Sequence, residues 1–102
     1  MIFAALVEAA TKGELILCEG GMCRWHLRRD KIVVIREIIV LPEQRRQGIG
    51  RALVNAIQAR NPGAVLLAKC PREYSSNSFW PRLGFVLTAQ GERVNEWRLP
   101  SA

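Results

Sequence analysis

The chain has 102 residues and a formal net charge of +6, with 49% hydrophobic and 24% charged residues. This length suits a single domain over residues 1–102, and the composition argues against a disordered chain. No apolar stretch is long enough to span a bilayer and the N-terminus lacks a signal-peptide pattern, so we expect a cytoplasmic protein without a membrane partner. The basic charge favours anionic partners without identifying them.

The cysteine and histidine content makes a metal site an unexpected feature. The cysteines are Cys18, Cys23 and Cys70, an odd number without a C-x-x-C pair, and His26 is the sole histidine. Reduced thiols are therefore expected, and no set of zinc ligands is predicted.

Hydrophobic spacing and turn residues divide the chain into short helices and strands. The first is an amphipathic helix over residues 2–12, which Gly13 ends. In chain order there follow a strand at residues 14–18, a turn at Gly20-Gly21, strands at 22–29 and 31–41, a helix at 48–60, a strand at 64–69, a helix at 78–83, and strands at 85–88 and 94–99 joined across Gln90-Gly91.

The strand at residues 31–41 is expected at the centre of the sheet. Its β-branched runs are interrupted only by Arg36-Glu37, and this predicts a strand covered on both faces. The helix at residues 48–60 connects it to the strand at 64–69, so these two strands should be parallel. The element order as a whole predicts an α/β (α+β) fold with a mixed sheet and crossover helices.

A basic, glycine-bearing turn joins the central strand to the following helix. Residues 40–53 read VLPEQRRQGIGRAL. Unpaired N–H groups at a helix N-terminus attract an anion, and Gly48 and Gly50 lack the Cβ atoms that would keep it away. A glycine pair alone is weak evidence, but Arg45, Gly48 and Gly50 at this spacing directly after a strand are more specific.

This turn resembles the acyl-CoA signature of the GNAT N-acyltransferase superfamily. A second match lies at residues 77–85, NSFWPRLGF, which resembles the short helix and Gly-Phe of that family. The resemblance implies a mostly antiparallel sheet of about six strands, flanked by helices, whose central parallel pair splays apart for acyl-CoA. It also implies transfer of an acetyl group from acetyl-CoA to a small-molecule or peptide amine, by direct attack of a primary amine.

The resemblance further implies where coenzyme A would bind. Amides of the turn would hold the pyrophosphate, and backbone groups of the central strand would hold the pantetheine arm. Asn77 either reaches that arm or caps a helix that begins near Ser78. The expected cofactor-binding residues are Ile38, Ile39, Val40, Arg45, Arg46, Gln47, Gly48, Ile49, Gly50, Arg51, Asn77 and Trp80.

Glu37 and Tyr74 are the candidate catalytic residues. Glu37 either takes the proton of the amine through a water or forms an ion pair with an arginine of a neighbouring strand. The family often has a tyrosine four residues before the glycine of the second motif, where its hydroxyl can protonate the thiolate. Trp80 stands there in this chain, and an indole N–H donates a hydrogen bond but is not an acid near neutral pH. Tyr74 is the alternative acid.

The sequence is also compatible with two other functions. The first is a non-catalytic acyl-CoA-binding module, which the tryptophan at position 80 suggests. The second, less expected, is a basic nucleic-acid-binding protein that uses Arg24, Arg28, Arg29 and Lys31. One helix before the first hairpin, where the family commonly has two, would leave surface uncovered, so a homodimer is expected.

Overall fold

A six-stranded sheet organises the chain, of which the computed structural model describes residues 2–101. The elements are α1 (Ile2–Thr11), β1 (Leu15–Cys18), β2 (Gly21–Leu27), β3 (Val33–Val40), α2 (Ile49–Arg60), β4 (Leu66–Pro71), α3 (Phe79–Arg82), β5 (Val86–Gln90) and β6 (Val94–Leu99), with short 3-10 helices at Pro42–Gln44 and Ser75–Ser78. None of these helices is both long and apolar enough to cross a membrane.

The strand order is β1-β2-β3-β4-β6-β5, and only β3 and β4 run parallel. The predicted mixed, mostly antiparallel sheet with one central parallel pair is therefore confirmed. The parallel relation follows from the crossover through α2, because a helix returns the chain to the edge where the preceding strand began.

The main core lies between the sheet and the face that α2 and α3 cover. Leu53, Val54 and Ile57 of α2 are almost fully buried, and they meet Val33 and Leu66 of the central pair. Burying one such side chain contributes roughly 1.5–3 kcal/mol. This packing fixes α2 across β2 and β3, and so fixes the turn at its N-terminus.

The prediction that β3 is covered on both faces is wrong for its second half. Helix α1 packs on β1 and β2 rather than on β3. Arg36 is exposed, and the side chain of Ile39 is 51% exposed. The continuous apolar pattern of β3 therefore includes residues that border an open space beside the strand.

The first hairpin turn lies one residue earlier than predicted. Gly20 has the left-handed φ of +87° expected in a turn, whereas Gly21 is already the first residue of β2. Gly21 is needed for another reason, because a Cβ there would lie 2.9 Å from the carbonyl oxygen of Ile39. It lets β2 approach β3 closely.

Asn77 is not a helix cap. It lies inside the 3-10 helix Ser75–Ser78, and the N-cap residue of α3 is Ser78, which makes no side-chain capping bond. Pro81 stands within the first turn of α3, where its missing N–H removes no helical hydrogen bond. The sequence indicated the helix but not the tighter turn before it.

Candidate active site

The turn between β3 and α2 presents a run of free amide donors. Among the described residues, the backbone N–H groups of residues 46–51 have no hydrogen-bond acceptor, and the first bond of α2 runs from Ala52 N–H to the Gly48 carbonyl at 2.9 Å. Arg46 and Gly48 both have left-handed backbone angles, with φ of 66° and 78°. Alternating left-handed residues turn successive N–H groups inward, which forms a concave anion site at a helix N-terminus. We call residues 45–51 the anion loop.

The side chains of the anion loop have different surroundings. Arg45 Nε donates to the Val40 carbonyl at 3.2 Å, and Arg51 Nη2 donates to the Arg82 carbonyl at 2.9 Å. These bonds tie the loop to β3 and to α3. The guanidinium of Arg46 has no partner within residues 2–101, so it is the loop's free cation.

The two glycines of the loop serve different purposes. A Cβ on Gly48 would meet nothing within 4 Å, so this residue is needed for its left-handed backbone. A Cβ on Gly50 would lie 2.7 Å from Cε1 of Phe79. Gly50 therefore allows α2 to pack against α3, whereas the sequence analysis had assigned both glycines to the anion.

A gap opens between β3 and β4 beyond their last paired residues, Ile35 and Ala68. β3 remains paired with β2 as far as Val40, and β4 remains paired with β6 as far as Pro71. β3 and β4 thus diverge while each stays hydrogen-bonded to its other neighbour, β2 or β6. The edges that β3 and β4 turn toward each other are not paired beyond Ile35 and Ala68. A cavity of about 290 Å³ lies in this gap.

Backbone groups of Ile38 and Val40 face the gap. The Leu41 N–H donates to the Gly20 carbonyl at 2.8 Å, on the side of β2. Because hydrogen-bonding direction alternates along a strand, Ile39 also pairs toward β2, while Ile38 and Val40 turn their N–H and C=O groups the other way. Ile39 meets the gap with its side chain instead.

Glu37 faces the gap as one half of an ion pair. Its Oε1 lies 2.5 Å from Nη2 of Arg24 on β2, and the two side chains are 23% and 22% exposed. Glu37 therefore forms the ion pair with an arginine of a neighbouring strand that the sequence offered as one of its two roles. A role as base stays a prediction, which the position of Glu37 at the wall of the gap favours.

Trp80 lines the gap and carries an unpartnered donor. The residue is 5% exposed, and its ring makes edge contacts with Phe79 and Phe85 at centroid distances of 4.9 and 5.0 Å. Its Nε1 is buried and has no acceptor in the part of the chain that the structure describes. Tyr74 also lines the gap, but its side chain is 57% exposed.

Asn77 connects the 3-10 turn beside the gap to neighbouring strands through its side-chain amide. Its Nδ2 donates to the carbonyls of Pro71 and Tyr74 at 2.8 and 2.9 Å, and its Oδ1 accepts from Trp97 Nε1 and Asn95 Nδ2 at 3.0 and 3.1 Å. These bonds fix the 3-10 turn to β4 and β6. A contact between Asn77 and the pantetheine arm stays a prediction, for which this side chain offers no free N–H.

Sequence reasoning missed several residues that border the gap. Arg36 and Lys69 follow directly after the last paired residues, and Ser76 Oγ lies 3.1 Å from the buried Cys70 Sγ. The register of β3 and β4 would have identified the first two, but a sequence does not give the register of a parallel pair. Within the described part of the chain, no group of three or more His, Cys, Asp or Glu side chains could hold a metal ion.

The basic residues considered for nucleic acid are partly neutralised. Arg24 is paired with Glu37, and Arg28 is paired with Asp30. The Arg28 guanidinium lowers the pKa of the Asp30 carboxyl to about 2, with help from the backbone N–H of Ile32.

Comparisons with known proteins agree with the fold. A family model described as an acetyltransferase (GNAT) domain matches residues 2–87. A GNAT-family acetyltransferase from Bacillus cereus has a TM-score of 0.83 at 15% identity, with 97% of this chain and 78% of the other covered. The ribosomal-protein-S18-alanine N-acetyltransferase of Escherichia coli has a TM-score of 0.66 at 20% identity, covering 81% and 63%.

A Bacillus anthracis protein described as a streptothricin acetyltransferase, solved with acetyl coenzyme A, has a TM-score of 0.62 at 19% identity, covering 81% and 57%. No curated protein sequence matched the chain. Since the family model spans most of its length, the chain belongs to the GNAT acetyltransferase family.

Proposed function

We propose that the protein is an acetyl-CoA-dependent N-acetyltransferase in which a primary amine attacks the thioester directly. The observation that carries this proposal is the continuity between two sets of backbone groups, the free amides of the anion loop and the edge of β3 that has no neighbouring strand, where the Val40 carbonyl accepts from Arg45 Nε. The free amides of residues 46–51 lie directly after the open edge of β3. A ligand with a diphosphate at one end and an extended amide-bearing arm at the other fits both sets.

Coenzyme A has this constitution, and its acetyl thioester supplies the activated acyl group. The anion loop would hold the diphosphate, with Arg46 as the free cation beside it. Ile38 and Val40 would bind the arm through their backbone groups, as a strand binds an added peptide. Holding the amine in line with the bound thioester supplies much of the rate enhancement. The reaction therefore needs few catalytic side chains.

Glu37 is the proposed base. An amine must lose a proton to attack, and the Glu37 carboxylate stands at the wall of the gap where it can accept that proton through a water. Arg24 keeps it oriented there through their ion pair. Neutral substitution of Glu37 should lower kcat more than it raises the KM for acetyl-CoA.

The unpartnered Trp80 N–H supports binding of a ligand in the gap, but it also motivates a second candidate function. A buried donor without an acceptor is unfavourable, and an acceptor atom on the pantetheine arm or the sulfur would satisfy it. An indole cannot protonate a thiolate, however. A module that binds acyl-CoA without turning it over is therefore the alternative.

Thermal unfolding and thiol release separate the two functions. A ligand that binds only the folded state raises the melting temperature, so both functions predict stabilisation by acetyl-CoA. Only the transferase releases free coenzyme A when amines, lysine peptides or polyamines are added. Stabilisation without release across the panel would favour the binding module, and no stabilisation would refute both.

The acceptor, the oligomeric state and the cellular location are proposals as well. The Escherichia coli neighbour is named for transfer to an alanine of a ribosomal protein, whereas the acceptor of this chain is proposed only as a primary amine of a small molecule or peptide. A homodimer and a cytoplasmic location likewise stay proposals. Sedimentation of the purified protein would test the first.

A further inference from the structure

Two cations stand at the point where β3 and β4 separate, which we call the fork. The last paired residues are Ile35 and Ala68, so Arg36 and Lys69 are the first residues beyond the pairing on each strand. Both side chains are exposed, and both line the gap. Like charges on neighbouring strands are unfavourable unless an anion lies between or beside them.

Arg36 also borders a second cavity, of about 320 Å³, which lies between α1 and β2 and which we call the α1 cavity. Arg36 is the residue common to the linings of the two cavities. Glu37 lines the gap, and its partner Arg24 lines the α1 cavity. The fork is therefore where a molecule in the α1 cavity would meet the end of a ligand held along β3.

The distance along β3 supports this meeting point. From Val40, beside the anion loop, to Arg36 the strand advances four residues, or ~13 Å at 3.3 Å per residue. An extended arm that starts at the loop and follows the open edge of β3 thus ends close to the fork. The acyl group would lie at its end.

Most other charges around the α1 cavity are already compensated. Lys12 is paired with Glu8 and Arg24 with Glu37, while the Glu14 carboxylate lies 3.6 Å from His26 Nδ1 and accepts from the Leu27 N–H. Arg36 has no ion-pair partner among residues 2–101. Lys69 stands opposite Glu96 of β6, whose carboxylate also accepts from Thr88 Oγ1 and Arg98 Nε.

We propose that Arg36, assisted by Lys69, binds an oxyanion group of the acceptor, so that the preferred acceptor is a small amine carrying a nearby carboxylate or phosphate. This inference rests on the proposed transferase function and names its substrate class. A guanidinium holds a carboxylate or phosphate through two parallel hydrogen bonds. Such binding would neutralise the fork and leave the amine beside Glu37.

The transfer step then balances without a further reactant. The amine nitrogen forms a bond to the acetyl carbon, and the carbon–sulfur bond breaks with its electron pair on sulfur. The proton of the amine passes to Glu37 through water. The products are the N-acetylated acid and the coenzyme A thiolate.

Matched acceptors test the inference in the full-length protein. β-Alanine is compared with β-alaninamide, and phosphoethanolamine with ethanolamine, by the ratio of kcat/KM within each pair. We expect the anionic member to be preferred roughly ten- to a hundredfold, as for a charge-assisted hydrogen bond. The pair with the larger ratio identifies carboxylate or phosphate as the group recognised, and either result supports the proposal.

Variants then assign the preference to the fork. Arg36→Gln should bring both ratios close to one, Arg36→Lys should restore part of the preference, and Lys69→Gln should lower it less. Arg29→Gln, at an exposed site away from both cavities, should leave the ratios as in the wild type. Stabilisation by acetyl-CoA confirms that each variant is folded.

The inference is overturned if the uncharged amines are preferred, or if Arg36→Gln keeps the wild-type ratios. If no acceptor is turned over, the proposed function fails, and calorimetry on the coenzyme A complex decides the inference separately. N-acetyl-β-alanine should then bind the wild type at least tenfold more tightly than its amide, and Arg36→Gln should lose that difference. Equal binding of the acid and its amide would reject the anion site as well.

Discussion

Replacing Gly48 by aspartate, with asparagine as the matched control, tests the anion loop most directly. Gly48 has a φ of +78° and open space where a Cβ would stand. Both asparagine and aspartate tolerate left-handed angles better than other non-glycine residues. The two variants therefore share their backbone strain and their size, and they differ in one negative charge beside the free amides of residues 46–51.

The magnitude follows from Coulomb's law. Two unit charges 4 Å apart interact by about 1 kcal/mol in water and by about 4 kcal/mol near a protein surface. The loop is exposed, so we take the lower value for each of the two diphosphate charges. The total of about 2 kcal/mol weakens binding roughly 30-fold.

Thermal unfolding in acetyl-CoA at one hundred times the wild-type Kd measures this difference. Binding then stabilises the wild type by about 2.7 kcal/mol, and a 30-fold weaker variant by about 0.9 kcal/mol. For a domain of this size the melting temperature rises by roughly 4–8 °C per kcal/mol. We expect roughly 11–22 °C for the wild type, nearly as much for Gly48→Asn, and roughly 4–7 °C for Gly48→Asp.

Two outcomes would refute the reasoning. If Gly48→Asp is stabilised as strongly as Gly48→Asn, the diphosphate does not lie against this loop. If both variants lose the stabilisation equally, the backbone or the added side chain matters and the charge does not. Equal melting temperatures of the two variants without ligand would confirm that the comparison concerns binding alone.

Three further predictions concern Gly50, Cys23 and Trp80. Gly50→Ala should lower the free energy of unfolding by about 1–3 kcal/mol, because its Cβ would press on Phe79 at 2.7 Å; urea titration measures this, and unchanged stability would contradict it. Burial raises the pKa of the Cys23 thiol to about 11, so iodoacetamide at pH 8 should label the exposed Cys18 well before Cys23; comparable labelling by mass spectrometry would argue against the buried placement. Trp80→Phe keeps an aromatic ring and removes the unpartnered N–H, so turnover should fall roughly 3- to 10-fold, and the smaller ring should also lower the stability of the free protein because it leaves buried space unfilled. Full turnover in the folded variant would show that the N–H does not serve the ligand.

Local patterns predicted most of the fold. The hydrophobic spacing of α2 and the turn residues around β1 and β2 depend on neighbours in the chain, so a sequence displays them. The parallel relation of β3 and β4 followed from the intervening helix alone. The prediction that Asn77 caps α3 was wrong. Asn77 lies in a 3-10 turn before α3, and this turn is held by side-chain bonds of Asn77 to Pro71 of β4 and Trp97 of β6, which local sequence patterns do not show.

The geometry of the anion loop was predictable because glycine residues before a helix indicate left-handed backbone and free amides directly. The fork could not be predicted from the sequence, because its position depends on which residues of β3 and β4 are the last to pair. Arg36 interrupts an apolar strand in the sequence, but only the structure shows that Arg36 and Lys69 both lie directly beyond the last paired residues of β3 and β4. The sequence predicts the same role for both glycines, and only the structure shows that a Cβ on Gly50 would meet Phe79.

The contact between Gly50 and Phe79 links the two halves of the proposed cofactor site. Gly50 belongs to the anion loop, and Phe79 makes an edge contact with Trp80, which lines the gap. Arg51 adds a second tie between the loop and α3 through the Arg82 carbonyl. Close packing transmits small displacements, because interiors have few voids to absorb them. The spacing between the proposed diphosphate site and the proposed acyl end of the gap is therefore set by the packing of α2 on α3 as well as by the length of β3.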